Sequence, residues 1–374
     1  MIAARGGMGR PGPRGSYAIA ALPTISLGRA RVATESAQRV RRPVMTSRQR
    51  WRPGMDHARQ ALTNGRQIGS IVESRGHLEG GRRCGRAAWW PYRTVPLMPE
   101  FTALPMLTTP TVTIWNVTCP GHIRHVADEE CATSTHLIYP YRGAYVHHVG
   151  TETFVAEANQ VLFVNQDQPY RVSHPMNGGD STVSIGLEPE TLLELTPAHY
   201  RHPKGHAAFS RMGVRASART QWLAASVRER LRLGTADALE AEELTLELIR
   251  QTLSDGSWSG PNGGGTAPRR LTDHVKLLLS SDPCRRWSLT DVAKLVGFSP
   301  VYLTQVFKRV EDMPLYRYQL RLRLARALEL LANYDDLTNL ALDLGFSSHS
   351  HFTAAFRNVY GTTPSAYQRS VRAS

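Results

Sequence analysis

One phrase of eleven residues occurs twice in this chain and limits what its last third can fold into. The first copy is Leu289-Thr290-Asp291-Val292-Ala293-Lys294-Leu295-Val296-Gly297-Phe298-Ser299. The second is Leu337-Thr338-Asn339-Leu340-Ala341-Leu342-Asp343-Leu344-Gly345-Phe346-Ser347, starting 48 residues later and identical at 6 of 11 positions. Each copy predicts a short amphipathic helix, a Gly where the helix stops, an apolar plug, and Ser as N-cap of the next helix. Helix, tight Gly-containing turn, helix is the helix-turn-helix plan, whose second helix enters the DNA major groove. Two copies imply two reading helices.

The flanking residues agree with that plan. Leu271–Ser280 has the apolar period of a preceding helix. Ser288 with Asp291 forms a capping box, and Ser299-Pro300 opens the first reading helix, Pro300–Arg309, with Pro at its favoured first position. There Leu303, Val306 and Phe307 point inward, which leaves Val301, Tyr302, Thr304, Gln305, Lys308 and Arg309 outward. Gln suits adenine, Thr and Val suit a thymine methyl, and Lys and Arg suit phosphate. A long helix from Leu315 to about Asn333 spaces the two units. Its Arg317, Arg321, Arg323 and Arg326 fit a solvated face, a phosphate or an acidic core partner. Asp336 caps the second unit. Its reading helix, Ser348–Tyr360, buries Phe352, Phe356 and Tyr360 and turns His349, Ser350, Thr353, Ala354 and Arg357 outward. A last short helix spans Pro364–Arg369, with Tyr367 tucked back.

This segment resembles the DNA-binding domain of AraC-family transcriptional regulators. The resemblance rests on Leu295-Val296-Gly297-Phe298-Ser299, Tyr302-Leu303, Val306-Phe307-Lys308-Arg309, Tyr318, Arg323-Leu324, Ala327, Leu344-Gly345-Phe346-Ser347, Ser350-His351-Phe352, Phe356-Arg357 and Gly361-Thr362-Thr363-Pro364-Ser365-Ala366-Tyr367. It implies that the reading helices enter successive major-groove segments on one DNA face, one helical turn or about 34 Å apart. The chain departs from the family pattern after the first reading helix. Glu311-Asp312 stand where Thr-Gly is usual, which puts the local cap geometry in question.

Net charge is +14, a value that would by itself suggest nucleic acid. Its distribution says otherwise. Residues 1–97 hold 18 Arg, no Lys and 4 acids, while residues 98–267 are net −6 and residues 268–374 net +6. The case for DNA therefore rests on the last hundred residues. The Arg- and Gly-rich start reads as a disordered extension over 1–107 or as a mis-assigned start, with Met98 or Met106 as the alternatives; a phosphate-binding arm is the functional reading. Four cysteines without CxxC spacing outline neither a disulfide framework nor a zinc site and fit a cytoplasmic protein. No run of 18 apolar residues suggests a membrane span.

From Thr111 the texture becomes short Val-, Ile-, Thr- and Tyr-rich runs between Gly, Pro and Asn. Strands are predicted at Thr111–Cys119, Thr135–Tyr141, Ala144–Val149, Glu152–Ala156, Gln160–Asn165, Tyr170–His174 and Ser181–Leu187. Arg142-Gly143 and the Asn177–Asp180 stretch are the turns. The expected fold class is α+β multidomain: an antiparallel, cupin-like β-barrel sensor over 108–190, then an all-α domain with two helix-turn-helix units over 269–374. Between them come a helical connector over 191–253, suited to covering the barrel and to dimerisation, and a flexible linker over 254–268. A barrel of this kind can hold a small molecule. Tyr145, Tyr170 and His174 are its candidate lining residues. His147 and His148 are adjacent and must face opposite ways, and no HxH accompanies them, so no metal and no cofactor is expected.

The sequence therefore predicts a non-enzymatic, sequence-specific DNA-binding regulator. The expected partners are double-stranded DNA, a small-molecule effector, RNA polymerase if it activates, and a second copy if it dimerises. A metal-dependent cupin enzyme fused to a DNA-binding tail and a ligand-independent regulator are the alternatives.

Overall fold

The computed structural model describes residues 101–121, 124–201, 209–254 and 267–373. The expected N-terminal extension up to residue 100 and nearly all of the expected linker lie outside the described residues.

Nine strands are described: β1 (Thr102–Thr108), β2 (Val112–Cys119), β3 (Glu130–Cys131), β4 (His136–Val149), β5 (Glu152–Glu157), β6 (Gln160–Val164), β7 (Pro169–Ser173), β8 (Asp180–Leu187) and β9 (Gly213–Arg215). They form one antiparallel sheet along the path β1-β2-β8-β4-β6-β9. The path is open at both ends, so the sheet is not a closed barrel. The first strand starts at Thr102, ahead of the boundary expected at 108. Its pairing with β2 supplies the order that its own weakly patterned sequence does not announce.

The long strand β4 organises the rest. Its first half lies between β8 and β6, and its second half pairs with β5 and β7. Arg142-Gly143 is therefore no hairpin turn. Pro140 lacks an N–H and Gly143 takes φ +69°, so the register against β8 slips between Pro140 and Arg142 and the strand bends without reversing. A Cβ on Gly143 would lie 1.9 Å from the Gly179 carbonyl oxygen, and one on Gly179 would lie 2.1 Å from that of Cys119. These glycines let the end of β2, the bend of β4 and the turn before β8 close on one another.

Strand alternation divides the sheet into two faces. Leu137, Tyr139, Val161, Phe163, Val183 and Ile185 pack against helices α2 (Ala218–Leu233) and α3 (Ala238–Ser254), through Leu223, Val227, Leu248 and Ile249. Ile138, Leu162, Val164, Thr182 and Ser184, the residues between, face the other way. Helix α2 starts at the Ser217 cap and stops at Gly234 in the left-handed conformation. Asp237 accepts from the Glu240 N–H at 2.9 Å and starts α3. A short helix α1 (Pro189–Leu195) follows β8.

The C-terminal half is helical: α4 (Ala267–Ser281), α5 (Leu289–Val296), α6 (Pro300–Glu311), α7 (Leu315–Leu330), α8 (Leu337–Asp343), α9 (His349–Tyr360) and α10 (Pro364–Arg372). Two cores flank α7. Leu315, Tyr318 and Leu322 pack with α4, α5 and α6. Leu324, Ala327 and Leu328 pack with α8, α9 and α10 and reach Trp222 and Ala225 of α2.

Candidate nucleic-acid interface and ligand cavity

Local chemistry sets both reading helices. Ser288 and Asp291 form the reciprocal capping box, Gly297 stops α5 in the left-handed region, and Ser299 accepts from Tyr302 N–H to start α6. In the second unit Asp336 caps α8, and Gly345 takes φ +79°. The N-cap of α9 is Ser348, not the expected Ser347. Its hydroxyl accepts from His351 N–H, while the Ser347 hydroxyl lies 3.1 Å from His351 Nδ1.

Val301, Tyr302, Thr304, Gln305, Lys308 and Arg309 are all exposed along one side of α6, and Leu303, Val306 and Phe307 are buried on the other. Val301 is 67% exposed. Tyr302 stacks on Phe298 at 5.4 Å, and the Thr304 hydroxyl donates back to Pro300 O. On α9, His349, Ser350 and Arg357 are exposed and Thr353 is half-buried, over a floor of Phe352 and Phe356. The two outward faces carry different chemistry, apolar–amide–ammonium on α6 and imidazole–hydroxyl–guanidinium on α9.

The long-helix arginines separate. Arg317 is exposed, Arg321 donates to Ala216 O, Arg323 donates to Arg285 O at 3.0 Å, and Arg326 pairs with Glu329. Asp312 does take the left-handed cap, at φ +46°. Its neighbour Glu311 has a separate role. It is fully buried, 2.5 Å from Lys276 Nζ on α4 and 3.2 Å from Arg215 on β9. Burial would discharge Lys276, but Glu311 and Asp273 outweigh it and hold the ammonium charged. Beside this cluster Glu157, at the end of β5, accepts from Asn159 N–H at 2.8 Å and from the Tyr318 hydroxyl of α7. Burial pushes the Glu157 carboxyl up to about 6, against the pull of those bonds. Sheet and reading domain thus meet through buried, hydrogen-bonded charge.

On the sheet face away from α2 and α3 lies a cavity of about 190 Å³. Tyr145, Tyr170 and His174 all line it. Cys119, His136, His147 and Asp180, none of them among the expected lining residues, line it too. The readable signal was the polar–apolar alternation Thr182-Val183-Ser184-Ile185 in β8, which marks a wet inner face. His147 faces the cavity against Tyr170, ring centroids 4.7 Å apart, while His148 turns out to Ser173 Oγ at 2.8 Å. Burial lowers His136 to about 4 and His147 to about 3, so both are neutral imidazoles at pH 7.

His174 behaves oppositely. It is 3% exposed, and its Nε2 lies 2.7 Å from Asp180 Oδ1. Burial alone would lower its pKa; the bond to Asp180 and the adjacent Cys119 outweigh that and hold it at about 10. The Cys119 sulfur, a His174 ring nitrogen and an Asp180 oxygen lie within 4.8 Å of one another, the one such group of metal-ligand type among the described residues. The trio is an ion pair beside a thiol. The cysteine spacing outlined no disulfide framework, yet Cys131 is disulfide-bonded. No helix among the described residues is long and apolar enough to cross a membrane.

Comparison with known proteins places both halves. A profile described as an AraC-like ligand binding domain matches residues 114–249, spanning the sheet together with α2 and α3. One described as a helix-turn-helix domain matches residues 292–370. The regulatory protein SoxS of Salmonella typhimurium is 39% identical over 79 residues, 21% of this chain and 73% of its own length. The transcriptional activator AarP of Providencia stuartii is 34% identical over 101 residues, 27% of this chain and 75% of its own length. The chain matches a smaller part of longer relatives, 39% of the length of the Salmonella regulatory protein PocR at 30% identity over 33% of this chain. These relatives are named as regulators, and the architecture is regulatory rather than catalytic. With a matching profile on each half and relatives covered over most of their length, the chain belongs to the AraC family of transcriptional regulators.

Proposed function

We propose that this chain is a sequence-specific DNA-binding transcriptional regulator in which α6 and α9 read two different half-sites and the cavity takes a small-molecule effector. The observation that carries the reading is the pair of capped helices with exposed, chemically distinct outer faces over buried apolar floors. On α6 Gln305 is the base reader, with Lys308 and Arg309 on phosphate; on α9 Arg357 and His349 take those parts. The sensor unit runs from β1 through α3, with β3, β7 and the second half of β4 lining the cavity as an incomplete cupin-like roll. RNA polymerase and a second copy of the chain are further partners of this reading.

A physical route connects cavity to reader. Asp180 begins β8, and its neighbour Ser181 is bonded by Arg142 at 2.6 Å. Arg142 in turn lies 3.8 Å from Glu329 on α7, the helix shared by both reading units. An effector that moved Asp180 would bias α7 through this chain of contacts, provided it binds the two positions of α7 unequally. The test is footprinting of the full chain on genomic fragments, with and without Ala132→Trp, which fills the cavity from its wall. An asymmetric footprint whose strength changes in the variant supports the reading. A protected site unaffected by Ala132→Trp points to ligand-independent regulation, and absence of any sequence-specific footprint overturns DNA reading itself.

A further inference from the structure

We propose that Cys119 is a covalent capture site and that the cavity takes carbon electrophiles, specifically α,β-unsaturated carbonyl compounds, through the relay Cys119–His174–Asp180. The proposal rests on the reading of the cavity as an effector site and names the chemistry of its ligand.

Three observations combine. The Cys119 thiol lines a formed cavity and stands within 4.8 Å of the ligating atoms of His174 and Asp180. Asp180 fixes the His174 ring through the 2.7 Å bond to Nε2, as an orienting carboxylate does in a nucleophile–base pair. Tyr145, whose ring lies 6.0 Å from that of His174, brings a buried phenol to the same wall. Burial, then the charge of Asp180, keeps this phenol protonated and so a donor. The His174 imidazolium, held charged by Asp180 and Cys119, is a proton donor on the same wall. A structural role for the buried His–Asp pair alone would not require a thiol at the same point on the wall.

The chemistry balances without an oxidant or a leaving group. The thiol releases its proton to solvent beside the His174 imidazolium, and the sulfur adds to the β-carbon of the enone. The carbon–sulfur bond forms as the alkene π pair moves onto the carbonyl oxygen, where the Tyr145 hydroxyl donates to the enolate. The His174 proton then passes to the α-carbon, leaving a saturated thioether. In doing so His174 becomes a neutral imidazole, and the charge facing Asp180 disappears at the head of the Ser181–Arg142–Glu329 chain.

The experiment is peptide-resolved mass spectrometry of the full chain after brief exposure to limiting cyclohexenone, with Cys284 as internal control. Burial raises the Cys284 thiol and makes it a poor nucleophile. Alkylation of Cys119 at least tenfold faster than Cys284 is expected. His174→Gln should bring the ratio near one, and Asp180→Asn should fall between. Because unfolding would expose both thiols, the ratio distinguishes loss of the relay from loss of the fold. Equal rates at the two cysteines in the native chain, or an unchanged ratio in His174→Gln, overturn the proposal. Such a failure leaves the effector reading intact, since that is judged by DNA binding of Ala132→Trp, which keeps the thiol.

Discussion

The two reading units repeat one sequence phrase but are held to the rest of the molecule by different chemistry. The first, α5 and α6, ends in Glu311, whose carboxylate is clasped by Lys276 and Arg215 beside the Glu157–Tyr318 bond. The second, α8 and α9, is held by α2 through packing. Trp222 meets Tyr367 edge-on at 6.2 Å, Ala225 enters the second core, and the Tyr360 hydroxyl reaches Gln221 at 3.3 Å. Apolar packing tolerates small shifts with gradual loss, whereas a buried ion cluster is either satisfied or costly. The docking of the first unit should therefore be lost abruptly, and that of the second should yield gradually.

The largest expected effect tests that contrast directly. Glu311→Ala removes the carboxylate facing Arg215, leaves Lys276 with Asp273 at 3.8 Å, and should cost about 3–5 kcal/mol in denaturant unfolding, the range for breaking a buried pair. Replacing the cluster as Lys276→Met with Glu311→Leu should recover much of that loss while leaving the DNA-facing side of α6 intact. If the single variant loses under about 1 kcal/mol, the cluster is not the clasp described.

Next in size is the asymmetry of reading. Gln305→Ala should cost about 1–3 kcal/mol at a specific site and relax base preference only in the half-site under α6. Lys308→Ala should weaken binding to all sequences and make the salt dependence shallower by about one unit of slope. Loss of preference in both half-sites from Gln305→Ala alone would mean that the two faces are not independent.

A pH dependence follows from Glu157. Its carboxyl is near 6 in the folded chain against 4.5 for the unperturbed group, so the folded state binds the proton more tightly. Its stabilising contribution is full below about 4.5 and is lost as pH rises through 6, by about 2 kcal/mol. Glu157→Gln keeps an oxygen for the Tyr318 hydroxyl and should flatten stability across that window. His136 and His147 act in the opposite sense: their pKa values are depressed to about 4 and 3, so stability present above 6.5 is lost as acid charges them. Thermal melts of the native chain and Glu157→Gln between pH 4 and pH 7 separate the two contributions.

What could be read in advance follows from how far each signal reaches along the chain. The capping box of Ser288 and Asp291, the stop at Gly297 and the start at Ser299-Pro300 each depend on residues within one turn, and each was legible. So were the buried stripes of α6 and α9. Strands β1, β3 and β9 were not, because short edge strands are ordered by partners far away in the chain. The bend at Gly143 looked like a turn because only its contact with Gly179 shows that the strand continues. Cys119 and Asp180 face each other across β2 and β8, 61 positions apart, and neither is marked by its neighbours. Glu311 was read only as an unusual residue at a helix stop, since its partners lie on α4 and β9.

The smallest effect separates two adjacent serines and so sharpens the comparison of the repeated phrase itself. In the first unit Ser299, the last residue of the phrase, is the N-cap. In the second the cap has moved one residue on, to Ser348, although the phrase again ends in Ser. Ser348→Ala should cost about 1 kcal/mol, the usual loss of a capping hydroxyl. Ser347→Ala removes only the exposed contact to His351 and should cost much less. The reverse order would return the cap to Ser347 and rotate the first turn of α9, carrying His349 and Ser350 away from the face shared with Arg357. Cap position, worth little in stability, therefore fixes which side chains the second helix carries on its outer face.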